Sequence, residues 1–156
     1  MSWHQWRGQL LQQRVGQQRI QLAGIEGQRH EDHADGNEDP ETWTTVLDIL
    51  EAAYRDIGQK LNFFPSKPIM VVLHTKTQFQ GSTGSPVWAD GLFDPVLGRI
   101  QIPTQGATTD RAWLTRVLRH EFVHALIHEE LGANGGAIPT WLNEGLAVYS
   151  EGGLDT

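Results

Sequence analysis

The segment His120-Glu121-Phe122-Val123-His124 limits what this chain can fold into more than any other. Two imidazoles four residues apart can reach one point only on an α-helix, where they lie one turn apart on the same face. At about 100° per residue, with His120 as zero, His124 falls near 40° and Glu121 near 100°, so the three share roughly a 100° arc. A carboxylate is thereby set beside a metal ion held by the two histidines without being one of its ligands. The chain must carry a helix through residue 120, bury the apolar flanks of that helix and bring a third donor from elsewhere.

The 156 residues include no cysteine, so thiolate metal sites, thiol catalysis and disulfides are excluded, and the third donor must be His, Asp or Glu. Glu144, in Trp141-Leu142-Asn143-Glu144-Gly145, lies twenty positions after His124. That interval is long enough for the helix to end, a loop to turn and a second helix to return. Two histidines, a glutamate and an open position make a standard catalytic zinc set, in which the ion acidifies a water and Glu121 takes its proton. The expected chemistry is amide hydrolysis. The alternative is a non-catalytic zinc-binding or peptide-holding module, or a fragment of a larger peptidase. Catalysis is favoured by Glu121 and by the lack of a fourth protein ligand, which a closed structural site would need. His128 continues the series at the eighth position but rotates about 40° with each step of four, which sets it at the cleft rim. His74 reads as a strand-end histidine, and His30 and His33 as part of a solvated acidic loop.

Hydrophobic residues make up 38% of the chain, enough to fill the core of one domain of this length. Residues 1–38 differ in texture: they are rich in Gln, broken by Gly8, Gly16, Gly24 and Gly27, and then acidic. This part is expected to be a loosely structured arm, with one weak strand or a broken helix at most. The ordered domain is expected over 39–156. Asp39-Pro40-Glu41 opens an amphipathic helix carrying Trp43, Val46, Leu47, Leu50, Tyr54 and Ile57, with Gly58 near its end. Ile69 to Leu73 is a continuous apolar run of β-branched character suited to a central strand. Gly81 to Pro86 reads as a loop of small residues. Val87 to Phe93 and Arg99 to Ile102 flank the turn Asp94 to Gly98 as an antiparallel hairpin, whose wet edge could accept an extended peptide. Thr109 or Asp110 caps the helix that carries HEFVH, Gly132 stops it, and Pro139 starts a short helix bearing Glu144. The fold class is α+β: a small mixed sheet with an antiparallel edge hairpin, a backing helix, the HExxH helix and a short glutamate-bearing helix.

HEFVH followed by Trp141-Leu142-Asn143-Glu144-Gly145-Leu146-Ala147 resembles the gluzincin signature. Residues 40–59, 69–79, 88–103 and 117–152 together resemble the bacterial peptidase-MA-like domain, a zincin-like fold. The resemblance implies a zinc metallopeptidase with His120, His124 and Glu144 as zinc ligands and Glu121 as catalytic base. It also implies an edge strand within Val87 to Phe93, with Trp88, Ala89, Asp90 and Gly91 along the substrate backbone. The chain departs from the pattern in three places. Thermolysin-like gluzincins carry an acid four residues after the ligand glutamate to orient a zinc-bound histidine, where this chain has Val148. They place a Tyr or His from a C-terminal subdomain over the oxyanion, whereas Tyr149 here is on the ligand helix and is expected to pack. Such domains usually begin with a strand, and the Gln-rich arm does not look like one.

The formal net charge of −7, with no basic stripe, argues against nucleic-acid binding. A peptide or protein substrate is the expected partner, and the oligomeric state is left open. No apolar run reaches membrane-spanning length, and no signal-peptide core follows Met1 to Arg7. As given the chain reads as cytoplasmic, or as extracytoplasmic if it has been trimmed from a longer precursor.

Overall fold

The computed structural model describes residues 11–15, 18–24, 40–65, 69–86, 89–104, 109–132 and 137–152, the first two segments and Pro40 by backbone alone. The elements run β1 (Leu11–Val15), β2 (Gln18–Gly24), α1 (Pro40–Leu61), β3 (Ile69–His74), α2 (Lys76–Thr83), β4 (Leu92–Asp94), β5 (Arg99–Pro103), α3 (Arg111–Leu131) and α4 (Thr140–Glu151). The five strands form one mixed sheet in the order β1-β2-β3-β5-β4. The pairs β1/β2 and β4/β5 are antiparallel, and β3 is parallel to both its neighbours.

Ile69 to His74 takes the central place its apolar run suggests, with four of the six residues in an unbroken buried stretch. On one sheet face Ile69, Val71, Leu73, Ile100 and Ile102 join α1 and α3 in a single core, where Leu50, Leu118 and Val123 are fully enclosed. The other face carries His74 and Gln101, both buried, with Phe79 of α2 edge-on to the His74 ring.

Two stretches differ from the sequence reading. The Gln-rich arm contributes two strands, because main-chain pairing with β3 offsets the weak intrinsic preference of a Gly- and Gln-rich segment. The rest of that arm, His30 and His33 included, lies outside the described residues. Gly81 belongs to α2, which starts with a capping box: the Thr75 hydroxyl accepts from the Gln78 N–H, and the Gln78 amide oxygen accepts from the Thr75 N–H. Gly84, at φ +66°, ends it in the left-handed conformation.

The HEFVH helix is bounded as its capping residues suggest. Asp110 caps α3 through the Trp113 N–H at 2.7 Å, and Gly132, at φ +51°, follows its last residue. Its buried stripe of Leu114, Val117, Leu118, Phe122 and Val123 faces the core, which leaves the adjoining flank for His120 and His124. Pro139 precedes α4, whose main contact is with α3. No described helix is long and apolar enough to cross a membrane.

Candidate metal centre

Burial of one flank of α3 turns His120 and His124 toward α4, and the first turns of α4 bring Glu144 to meet them. The two histidine Nε2 atoms are 3.1 Å apart. Glu144 Oε2 is 3.4 Å from His120 Nε2, and Glu144 Oε1 is 3.5 Å from His124 Nε2. Tetrahedral zinc with bonds of about 2.0–2.1 Å would set its ligand atoms roughly 3.3 Å apart, so this donor triangle has the size such an ion needs.

The remaining ring nitrogens identify the tautomers. His120 Nδ1–H donates to Glu151 Oε1 at 2.7 Å, and His124 Nδ1–H donates to Asn143 Oδ1 at 2.9 Å. A ring that donates through Nδ1 while neutral carries a lone pair on Nε2. Two lone pairs then point at one another across 3.1 Å, beside a carboxylate. Only a shared proton or a cation makes that arrangement favourable, and three convergent donors of this kind suit a metal ion.

Glu151 and Asn143 were not found by sequence reasoning, which looked for an orienting acid at position 148. Val148 is exposed, and the partner of His120 comes from one turn further along α4. A signal was available: Glu151 is seven residues after Glu144, two turns on, and so shares its helix face. Two arginines of α3 hold this end of α4. Arg119, itself buried, donates through Nε to the Ser150 carbonyl at 2.6 Å and through its guanidinium to Asp56 of α1. Asp56 is held below the usual carboxylate range chiefly by that guanidinium. Arg116 lies 3.8 Å from Glu151 and 3.0 Å from Asp90, tying the approach to β4 to the same cluster.

Glu121, on the same arc of α3 as the pair, is buried. Burial pushes its carboxyl up to about 7; His124 and the Phe93 backbone N–H pull the other way, and Glu144 and Glu151 add to the rise. A carboxyl poised there can take and return a proton near neutral pH.

A cavity of about 630 Å³ opens over these groups, lined on the α3 and α4 side by His120, Glu121, His124, Asn143 and Glu144, and opposite by Gly91, Leu92, Phe93 and Pro95. Of the four residues expected along a substrate, Gly91 lines this cavity, Ala89 and Asp90 precede the strand, and Trp88 lies outside the described residues. The edge strand begins only at Leu92, paired with Gln101. The same register would set Asp90 opposite Pro103, which has no N–H to donate, so the ladder stops short. His128 stands at the rim with its ring against Phe93, centroids 5.4 Å apart. Tyr149 is exposed and is not among the cavity residues.

Gly91 allows the approach of β4 to α3. A Cβ there would fall 2.7 Å from Val117 Cγ1, 3.0 Å from Ile102 Cδ1 and 3.3 Å from Glu121 Cγ. No side chain fits between the strand leader and the helix that bears Glu121.

Residues 52–156, about two thirds of the chain, match the family model described as Peptidase MA superfamily. No individual curated protein and no solved structure matches the chain.

Proposed function

The chain belongs to the Peptidase MA superfamily, and on that premise we propose that it is a zinc-dependent peptidase of gluzincin type, with His120, His124 and Glu144 as ligands and Glu121 as general base. The observation that carries the metal reading is the pair of Nε2 atoms 3.1 Å apart, with both Nδ1 atoms already engaged as donors. Zinc in that place would polarise a scissile carbonyl and acidify a water.

The chain's own residues do the rest. Glu151 and Asn143 hold the two imidazoles in the tautomer that directs Nε2 at the site. Glu121 accepts a proton from the attacking water and hands it to the leaving amine, a double use that suits a carboxyl raised to about 7. The substrate backbone adds to β4, the edge strand beside the cavity, by main-chain pairing, and Gly91 keeps that strand close to Glu121.

Zinc analysis and peptide-library hydrolysis of wild type beside Glu121→Gln test the proposal. Expected are about one zinc per chain in both proteins and cleavage by the wild type alone. Equal zinc with no cleavage by either protein would leave a zinc-binding module, and a wild type that binds no zinc would end the metal reading.

A further inference from the structure

Beyond β4 the chain makes a turn with two apolar residues on its outside. The Asp94 carboxylate accepts the Val96 N–H at 2.9 Å and the Leu97 N–H at 3.0 Å, and Gly98 closes the turn at φ +62°. Any residue would satisfy the main chain at 96 and 97, yet the positions hold Val and Leu, 90% and 56% exposed. Turns at sheet edges ordinarily carry polar residues there, and the described residues leave this apolar pair exposed.

Val96 and Leu97 border a second cavity, of about 340 Å³, whose other apolar walls are Ile69, Phe93, Pro95 and Ala125. Its polar members, His128 and Glu129, come from a single turn of α3. This cavity adjoins the metal-centre cleft: Phe93, Pro95, His128 and Gly132 line both. Phe93 and His128, in ring contact, form the partition between them.

We propose that this second cavity is a side-chain subsite of the peptidase, taking a large apolar residue (Leu, Met or Phe) of the substrate, with Val96 and Leu97 determining specificity. The inference rests on the peptidase reading above. A peptide extended along β4 advances about 3.3 Å per residue, so the step from Phe93, whose N–H faces Glu121, to Pro95 is roughly 7 Å. The subsite therefore receives a side chain about two positions from the cleaved bond. The occupant is apolar because six of the ten lining residues are apolar, and an extended peptide is the ligand that the neighbouring strand edge would present there.

A positional-scanning library of capped hexapeptides tests this. Binding is measured to the zinc-loaded Glu121→Gln protein and to the same protein with Val96→Ser and Leu97→Ser, and cleavage of the library by wild type is followed in parallel. The serine variants keep Asp94 and Gly98, and an unchanged unfolding midpoint confirms the fold. Expected is one peptide position at which Leu, Met or Phe binds about tenfold or more tightly than Ser or Asp, a ratio that falls to near one in the serine variant. A library with no apolar preference at any position, or a preference that survives both serines, overturns the subsite. Selective binding without cleavage by wild type would overturn the catalytic reading and leave the subsite standing, and cleavage without selectivity would do the reverse.

Discussion

Replacing Gly91 by alanine should damage the protein by crowding alone. The glycine has no left-handed φ, so alanine meets no backbone penalty, and the cost lies in what the new methyl touches. Carbon atoms rest about 3.5–4.0 Å apart, and the methyl would sit 2.7 Å from Val117 Cγ1. Val117 is buried and β-branched on a helix, with essentially one rotamer open to it, so it cannot swing aside. The strand leader must retreat from α3 instead. Overpacking of this kind costs about 1–3 kcal/mol, and at roughly 2–4 °C per kcal/mol the unfolding midpoint should fall by about 2–12 °C. Retreat by a sizeable fraction of an ångström would also move the substrate edge from Glu121, lowering kcat/KM by up to about 100-fold at unchanged zinc content. Denaturant unfolding and steady-state cleavage read the two effects. Adding Val117→Ala, which removes the clashing methyl, should recover part of the loss, with a coupling energy of about 0.5–3 kcal/mol. Gly145→Ala is the control: a Cβ there meets nothing within 4 Å on an exposed helix face, so it should stabilise by about 0.5–1 kcal/mol. Wild-type stability and turnover in Gly91→Ala would refute the close-approach argument.

Glu151→Ala removes the acceptor of His120 Nδ1–H and should weaken zinc binding about 10- to 100-fold in a competitive chelator titration; unchanged affinity would show that the ring is oriented by something else. A pH effect should come from His74, away from the metal centre. Burial holds its imidazole below the usual range, with Gln101 opposing and the Arg99 charge adding to the drop. Its folded pKa is thus below the unfolded value of about 6.5, so the unfolded chain binds the proton first, and stability is lost as pH falls through 6.5. Denaturant midpoints between pH 7.5 and 5 should therefore fall less steeply in His74→Leu than in wild type, and parallel curves would rule His74 out.

Much of this protein is legible in short stretches of its sequence. Pro40, Asp110, Gly132 and Pro139 mark helix ends because capping depends on groups within one turn, although α1 runs past Gly58 to Leu61. The α2 helix was legible too, in Thr75 and Gln78, but Gly81 hid it. The unbroken apolar run from Ile69 was enough to indicate the central strand.

What the sequence by itself determined is the set of local periodicities: a helix with His120, Glu121 and His124 on one arc, a strand of continuous apolar character, and a second helix bearing Glu144. Each follows from spacing of three, four or two residues and from caps, interactions that neighbours in the chain decide between themselves. Tertiary structure alone decided that Glu151 and Asn143 hold the imidazoles, that Gly91 must lack a side chain, and that a Gln-rich segment extends the sheet. Those facts depend on how α4 crosses α3, how near β4 lies to Val117, and which edge of β3 takes β2, and no local spacing encodes the distance between elements about twenty to fifty residues apart.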